Sequence, residues 1–441
     1  MMLRRVHWWV CRRRGAAIWA LMMVIGTWML IYLTQNRFTF SELTTTPEEK
    51  IHQELMPTSS GKKSSILKNT KDLPVEDGFS RAEYLRSACK NNIHRSGNRK
   101  VRVSFDPHVN AVYCPLCKIA STFLTRMFRM IALNNRGLPN GTVYTPFDVP
   151  ISDAPPSTDN LDLNKWTVGN KDASNSFRFM FVRSPFDMLF SAYVDKFVGP
   201  NPYFNRFSRD KNNQCGYANF SFRQLLEYVI ITDKKKQTLD CHVAKWDACL
   251  PCEVNYTYIG KMETFKDDIT SILSALRQFK SLDAMEAKSS NLHADDAIQD
   301  SVSGPYEWRK DIVKCMSWPD ALRRIWRKLQ IRGVIGTKGF SLSEFEAESI
   351  SRTDYINVLK KVREKSTANE RHMMKQLSYI EAYRNIPEEL LDSIKHVYRN
   401  EFNLFNFSTD TKIFRQSDQY NAIGFFNYSN IESNILLHTM D

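Results

Sequence analysis

Phe177-Arg-Phe-Met-Phe-Val-Arg-Ser-Pro-Phe-Asp-Met-Leu-Phe-Ser-Ala-Tyr193 decides the fold class. Phe177, Phe179 and Phe181 alternate with the period of a strand. Val182 and Arg183 end that run. Ser184 then reads as an N-cap, with Pro185 at the first helical position and Asp187 closing a Ser-x-x-Asp capping box. Phe186, Leu189, Phe190, Tyr193 and Phe197 form the buried stripe of the helix that follows. A second unit of the same kind lies upstream, with a strand Val109-Asn-Ala-Val-Tyr-Cys114, a loop, and a helix from about Thr122. Leu124, Met127, Phe128 and Ile131 keep i, i+3, i+4, i+7 spacing, and Asn134-Asn-Arg-Gly137 supplies the stop. Strands feeding helices through tight turns predict an α/β fold with a mostly parallel central sheet. Ligands of such folds collect beyond the carboxyl ends of the strands.

Around these units the chain has 441 residues, 42% of them apolar, and a formal charge of +13. Arg4, Arg5, Arg12, Arg13 and Arg14 precede an uncharged run from Gly15 to Thr34, long enough to span a bilayer. Past it come Arg37, Glu42, Glu48 and Glu49, so the positive-inside rule puts residues 1–14 in the cytosol and the body in a lumen. Trp8, Trp9, Trp28 and Tyr32 suit interfacial anchors, and Thr34–Phe38 offers no small-residue cleavage site, so an uncleaved anchor is expected. Residues 35–80, rich in Thr, Ser, Lys, Glu and Pro, read as a flexible stem. The body, residues 81–410, opens on Arg81-Ala-Glu-Tyr-Leu-Arg-Ser-Ala-Cys89 as a short helix, and residues 411–441 form a tail. Ala284–Ser303 is polar and loop-like. Sequons at Asn140, Asn219, Asn255, Asn406 and Asn427 suit a luminal body. Beyond Cys11, the even set Cys89, Cys114, Cys117, Cys215, Cys241, Cys249, Cys252 and Cys315 permits disulfides without specifying their pairing.

Cys114-Pro-Leu-Cys-Lys-Ile-Ala-Ser-Thr122 joins the first strand to its helix. A phosphate there would meet free N–H groups at the positive end of the helix dipole. Lys118 could reach its oxygens, and Ser121 or Thr122 could donate hydroxyls. The loop lacks the glycines of a nucleotide-triphosphatase loop. Arg183, at the second strand's end, can grip another phosphate bidentately, with Ser191 two turns on. Two anion-ready strand ends in a basic chain fit a ligand with two separated phosphates. Cys241, His242, Cys249 and Cys252 carry ligand chemistry for zinc, although an oxidising lumen favours disulfides. Asp320–Arg332, following Ser317-Trp-Pro and ending at Gly333, is a helix whose Arg323, Arg324, Arg327, Lys328 and Arg332 read as a solvated face or a contact for an acidic glycan.

Tyr113-Cys-Pro-Leu-Cys-Lys-Ile-Ala-Ser-Thr-Phe-Leu-Thr-Arg126 resembles the 5′-phosphosulfate loop of the Golgi carbohydrate sulfotransferases of the chondroitin 4-O-sulfotransferase type. Phe181-Val-Arg-Ser-Pro-Phe-Asp-Met-Leu-Phe-Ser-Ala-Tyr-Val-Asp-Lys-Phe197 resembles their 3′-phosphate motif. Cys249-Leu-Pro-Cys252, Tyr258-Ile-Gly-Lys-Met-Glu263 and Tyr398-Arg-Asn-Glu-Phe-Asn-Leu-Phe405 are similar to further segments of that family, in the same order. The resemblance implies a P-loop-like sulfotransferase fold behind one transmembrane helix, in a type II Golgi membrane protein. It implies 3′-phosphoadenosine 5′-phosphosulfate (PAPS) as donor and a glycan as acceptor, with no metal required, while the luminal topology disfavours a nucleic-acid role. Donor-binding positions carried over are Cys117, Lys118, Ile119, Ala120, Ser121, Thr122, Phe123 and Arg126, then Arg183, Ser184, Pro185, Phe186, Asp187, Met188, Leu189, Phe190 and Ser191. Lys118 is the implied catalytic cation. His242 is the implied base, with Glu263 in reserve. The family's His-Trp pair is opened here to His242-Val-Ala-Lys-Trp246. Its Pro-Lys becomes Cys117-Lys118, its Ala-Cys-Thr-Asn becomes Ala120-Ser-Thr-Phe123, Met188 and Val194 replace basic residues, and residues 282–385 are extended. A glycan-binding protein on a scaffold that has lost catalysis is the rival expectation.

Overall fold

Two adjacent parallel strand pairs carry both motif units, inside a sheet that is otherwise antiparallel. This computed structural model describes residues 77–90, 100–135, 143–150, 159–208, 214–415, 423–428 and 435. The chain divides into Met1–Leu73 and Pro74–Asp441, and all described residues belong to the second unit. The expected cytosolic tail, membrane span, most of the stem and the Asn140 sequon lie outside them. Among the described residues no helix is long and apolar enough to cross a membrane.

In chain order the main elements are α1 (Gly78–Lys90), β1 (Lys100–Asp106), β2 (Ala111–Cys114), α2 (Ser121–Asn135), β3 (Asp159–Asp162), β4 (Thr167–Val168), β5 (Lys171–Asp172), β6 (Phe177–Val182) and α3 (Pro185–Tyr193). There follow α4 (Phe222–Lys234), β7 (Tyr258–Lys261), α5 (Phe265–Ala275), α6 (Phe279–Glu307), α7 (Trp318–Ile331), α8 (Arg352–Lys365), α9 (Ala368–Arg384), α10 (Glu388–Val397) and α11 (Arg399–Leu404). The sheet order is β5-β4-β3-β1-β2-β6-β7. Only β2–β6 and β6–β7 are parallel, with Cys114 beside Met180 and Val182 beside Lys261. The sheet is therefore mixed, which corrects the expectation of a mostly parallel one. β1 returns into β2 through a four-residue turn, a connection too short for anything but an antiparallel pair. β3, β4 and β5 extend that antiparallel side with strands of two to four residues.

The apolar faces of α2, α3 and α4 share one large core with the sheet. A second core joins α6, α7 and α8 around Ile298, Val302, Trp318, Ile325, Trp326, Tyr355 and Leu359. The expected loop at Ala284–Ser303 is instead part of the 29-residue helix α6. Among the described residues of α6, Ala294, Ile298 and Val302, four residues apart, are buried, a stripe too narrow to register in sequence. Tertiary packing, not intrinsic amphipathicity, holds such a helix.

α7 follows the sequence reading at both ends. Ser317 Oγ accepts from the Asp320 N–H, and Gly333 adopts φ +68° just past the end. Its faces do not. Arg323, Arg324, Arg327 and Lys328 are all buried, because α7 lies between α6, α9 and the π-helical segment Val194–Val198. The solvated basic face is thus corrected to an internal one.

Four disulfides pair every cysteine after Cys11: Cys89–Cys252, Cys114–Cys249, Cys117–Cys241 and Cys215–Cys315. The sequon asparagines Asn219, Asn255, Asn406 and Asn427 are all exposed.

Arg81 of α1 makes a bidentate pair with Asp268 of α5 at 2.9 and 3.0 Å, both side chains buried. Asp268 also accepts from Tyr258 Oη, Thr264 Oγ1 and the Lys261 N–H at 2.7, 2.7 and 2.8 Å. One carboxylate therefore fixes α1 and α5 to the exit of β7. Asp268→Ala strands the guanidinium and is expected to cost about 3–5 kcal/mol in chemical denaturation; a loss under about 1 kcal/mol would show that water replaces the carboxylate.

Candidate active site at the strand ends

The loop after β2 makes its turn without glycine. Lys118 and Ala120 take φ values of +65° and +49°, in the left-handed region that L side chains resist. α2 starts immediately afterwards, its first bond running from the Leu124 N–H to the Ala120 carbonyl at 2.9 Å. The N–H groups of Ser121, Thr122 and Phe123 are thereby left at the helix's positive end. Cys114–Cys249 and Cys117–Cys241 bolt the loop from both sides. Arg183, at the end of the adjacent parallel strand β6, donates to the Lys118 carbonyl at 3.3 Å. The two anion-ready strand ends are thus in contact.

Lys118 Nζ meets Asp195 Oδ2 at 2.8 Å. Burial pulls the ammonium's pKa down to about 8, with Asp195 opposing the shift. His242 reaches the loop through the disulfide: a ring nitrogen and the sulfurs of Cys117 and Cys241 lie within 4.8 Å of one another. Asp240 Oδ1 stands 2.6 Å from His242 Nδ1 and fixes the ring, whose edge lies against Phe204. Burial works to raise the Asp240 pKa, but hydrogen bonds from His242 and Arg206 outweigh it and hold the carboxyl low.

On the other side of Arg183 stand Asp187, Glu263, Lys375 and Tyr379. Tyr379 Oη approaches Asp187 Oδ2 at 3.4 Å. Glu263 is shifted up by burial and by the charge of Asp187, against Arg183, while Lys375 is shifted down by burial and by Arg183. Both side chains are solvent-accessible.

The model of the sulfotransferase family matches residues 101–329, just over half of the chain. The chain belongs to the sulfotransferase family. The match bears out the resemblance read from the motifs and takes in both strand ends, the Cys249–Cys252 segment and β7; Tyr398–Phe405 lies beyond it. Carbohydrate sulfotransferase 11 of Danio rerio is 26% identical over 241 residues, 47% of this chain and 66% of that protein. Carbohydrate sulfotransferase 12 of Xenopus laevis is 27% identical over 240 residues, 47% and 56%. Carbohydrate sulfotransferase 10 of Homo sapiens is 27% identical over 273 residues, 55% and 73%. The chain thus spans less than two thirds of the length of the first two. No solved structure matches it.

Within this member of the family the sequence-predicted positions fall into three groups. Lys118, Ser121, Thr122, Arg183, Ser184, Asp187 and Ser191 are partly or fully accessible around the strand ends. Ile119, Pro185, Phe186, Met188, Leu189 and Phe190 are buried, and Phe186 packs on Tyr383, Phe402 and Phe414. Phe123 joins Phe265, which touches Phe181, so one aromatic contact chain links the two motif units. Arg126 turns away to Asp296 of α6 at 2.7 Å.

Two local expectations are corrected. Ser184 occupies the N-cap position but its side chain makes no cap bond, and Asp187 faces Tyr379 instead. Cys249 and Cys252 are bonded to Cys114 and Cys89, so the zinc set Cys241, His242, Cys249 and Cys252 does not converge. Cys117, Cys241 and His242 do cluster, but the two sulfurs are bonded to each other. Sequence reading missed Asp195 as the partner of Lys118, and Lys375 and Tyr379 of α9, which come from nearly two hundred residues downstream.

Replacing Cys117 and Cys241 together by serine leaves Cys114–Cys249 in place and releases one side of the loop. The expected loss is about 2–4 kcal/mol in thermal or chemical unfolding. A loss below about 0.5 kcal/mol would show that the loop holds its left-handed residues without that bridge.

Proposed function

We propose that the chain is a carbohydrate O-sulfotransferase that moves a sulfuryl group from PAPS to a hydroxyl of a glycan, a chondroitin-like glycosaminoglycan or a related carbohydrate. The observation that carries this reading is the contact between two anion-ready strand ends, Lys118 and Arg183, in a member of the sulfotransferase family. PAPS is a ligand with phosphate groups at two ends, and the residues present fit it. The glycan acceptor is supported by the names of the relatives. A type II Golgi location is supported by the basic N-terminal flank of Gly15–Thr34, the exposed sequons and the four disulfides.

In the reaction, the bond between sulfur and the 5′-phosphate oxygen breaks as the sugar oxygen bonds to sulfur, and adenosine 3′,5′-bisphosphate leaves. Negative charge grows on the departing oxygen, where a fixed ammonium stabilises the transition state more than the ground state. Lys118 fills that role, with the N–H groups at the start of α2. Arg183 and Ser191 hold the 3′-phosphate. The sugar proton passes to His242 through its second ring nitrogen, since Asp240 holds Nδ1.

Single-turnover transfer from labelled PAPS to a glycan panel tests this. Lys118→Ala should lower the transfer rate far more than affinity for adenosine 3′,5′-bisphosphate. His242→Ala should slow transfer by about 10²–10⁴-fold. Arg183→Ala should weaken the bisphosphate roughly ten- to a hundredfold in calorimetry. Wild-type transfer by Lys118→Ala would overturn the catalytic assignment. Glycan binding with no transfer by the wild type would favour the inactive scaffold.

The pH profile is a separate check. Lys118 must be protonated, and its ammonium is lost as pH rises through about 8. Transfer should therefore fall on the alkaline side near that value. A rate that stays flat to pH 10 would exclude Lys118 as the required cation.

A further inference from the structure

Asp195 gathers three ammonium groups. Its Oδ2 is 2.8 Å from Lys118 Nζ and 2.9 Å from Lys196 Nζ, and its Oδ1 is 2.9 Å from Lys328 Nζ. These side chains are 15%, 22% and 7% exposed, and Asp195 is 18% exposed. Arg332 adds to the positive field, although its guanidinium is engaged by Asp300 and Ser301. Three cations thus share one carboxylate where little water reaches, leaving a surplus of two positive charges. Partly desolvated charge without a partner is costly, so such a surplus is a standing site for an anion.

The convergence is built from three separate elements. Lys118 comes from the loop after β2. Asp195 and Lys196 come from the π-helical continuation of α3, a kind of segment frequent at functional sites. Lys328 comes from α7. Its stem passes over Gly199, where an added Cβ would stand 3.1 Å from Lys328 Cδ. Its ammonium also donates to the Asp195 carbonyl at 3.2 Å.

We infer that Lys196 and Lys328, held beside Lys118 by Asp195, bind the charged 5′ end of the donor. A phosphosulfate carries one negative charge on phosphorus and one on sulfur, which matches the surplus of two. Asp195 is then a positioning residue that keeps the three ammoniums together before the anion arrives. The identity of the donor rests on the function proposed above, whereas the affinity of the cluster for a dianion does not.

Calorimetry with three probes separates the two. Adenosine 3′,5′-bisphosphate has both phosphates, adenosine 3′-monophosphate lacks the 5′ one, and inorganic pyrophosphate has no nucleoside. Lys328→Met should weaken bisphosphate and pyrophosphate roughly ten- to a hundredfold, the scale of a lost charge-assisted hydrogen bond. It should leave the 3′-monophosphate unchanged, and Lys328→Arg should recover part of the loss. If Lys328→Met does not fold, Lys196→Met, at a more exposed position, carries the same expectation. Wild-type affinity for bisphosphate and pyrophosphate in a folded Lys328→Met protein would overturn the inference and leave the donor reading intact. A wild type that binds pyrophosphate through Lys328 but no adenosine nucleotide would keep the anion site and remove the donor reading. A wild type that binds neither would remove both.

Discussion

The loop after β2 must hold two non-glycine residues in left-handed backbone, and much of the structure is arranged around that requirement. Such a conformation costs about 1–2 kcal/mol per residue. It persists only where its surroundings over-determine it. Here the surroundings are two disulfides, the Arg183 bond to the Lys118 carbonyl, and the ion pair of Lys118 with Asp195. A nucleotide-triphosphatase loop meets the same geometric demand with glycines. Covalent clamps do the work of glycine in this chain, and they leave a β-carbon and a side chain at every position of the turn. Reduction of those two bridges would release the clamps on Lys118 and Ala120.

Part of that constraint was legible in sequence and part was not. The two strand–loop–helix units were visible because each strand or helix there buries a continuous apolar face, as Phe179 and Phe181 do. The ends of α7 were visible because Ser317 and Gly333 act through local backbone geometry. Partners far apart in the chain carry no local period. Nothing in the pattern around Cys117 points to Cys241, and nothing around Asp195 points to Lys328. The mixed sheet escaped for a related reason: β4 and β5 are two residues each, below the length at which alternation can be seen. α6 escaped because its described buried apolar residues, Ala294, Ile298 and Val302 among them, are set among mostly polar ones.

The basic residues of α7 were misjudged on composition, and their burial has a specific cause. A helix C-terminus exposes carbonyls without intrahelical partners, and cations near that end are stabilising. α3 and its π-helical continuation end at Val198, and their last turn faces α7. Lys328 donates to the Asp195 carbonyl at 3.2 Å, and Arg324 donates to the Phe197 carbonyl, also at 3.2 Å. Arg324 and Lys328 stand four residues apart, on one face of α7. Two cations of one helix therefore cap the end of another, and a free basic face would be lost by that very contact.

Capping also fixes what Asp195 can do. With its carbonyl and carboxylate both held by Lys328, its side chain has little freedom to leave Lys118, and the distance between the three ammoniums is set by backbone as much as by charge. Two residues from beyond position 282 thus reach the motif segments, Lys328 through Asp195, the partner of Lys118, and Asp296 through Arg126. Charges that merely decorated the surface would sit in water, where pairs contribute little. Lys328 and its partner Asp195 are instead largely buried, at 7% and 18% exposure, while Asp296 keeps 39% of its side chain in solvent. Lys328 is therefore tied to Lys118 through Asp195, and a change at Lys328 is expected to be felt at the loop after β2.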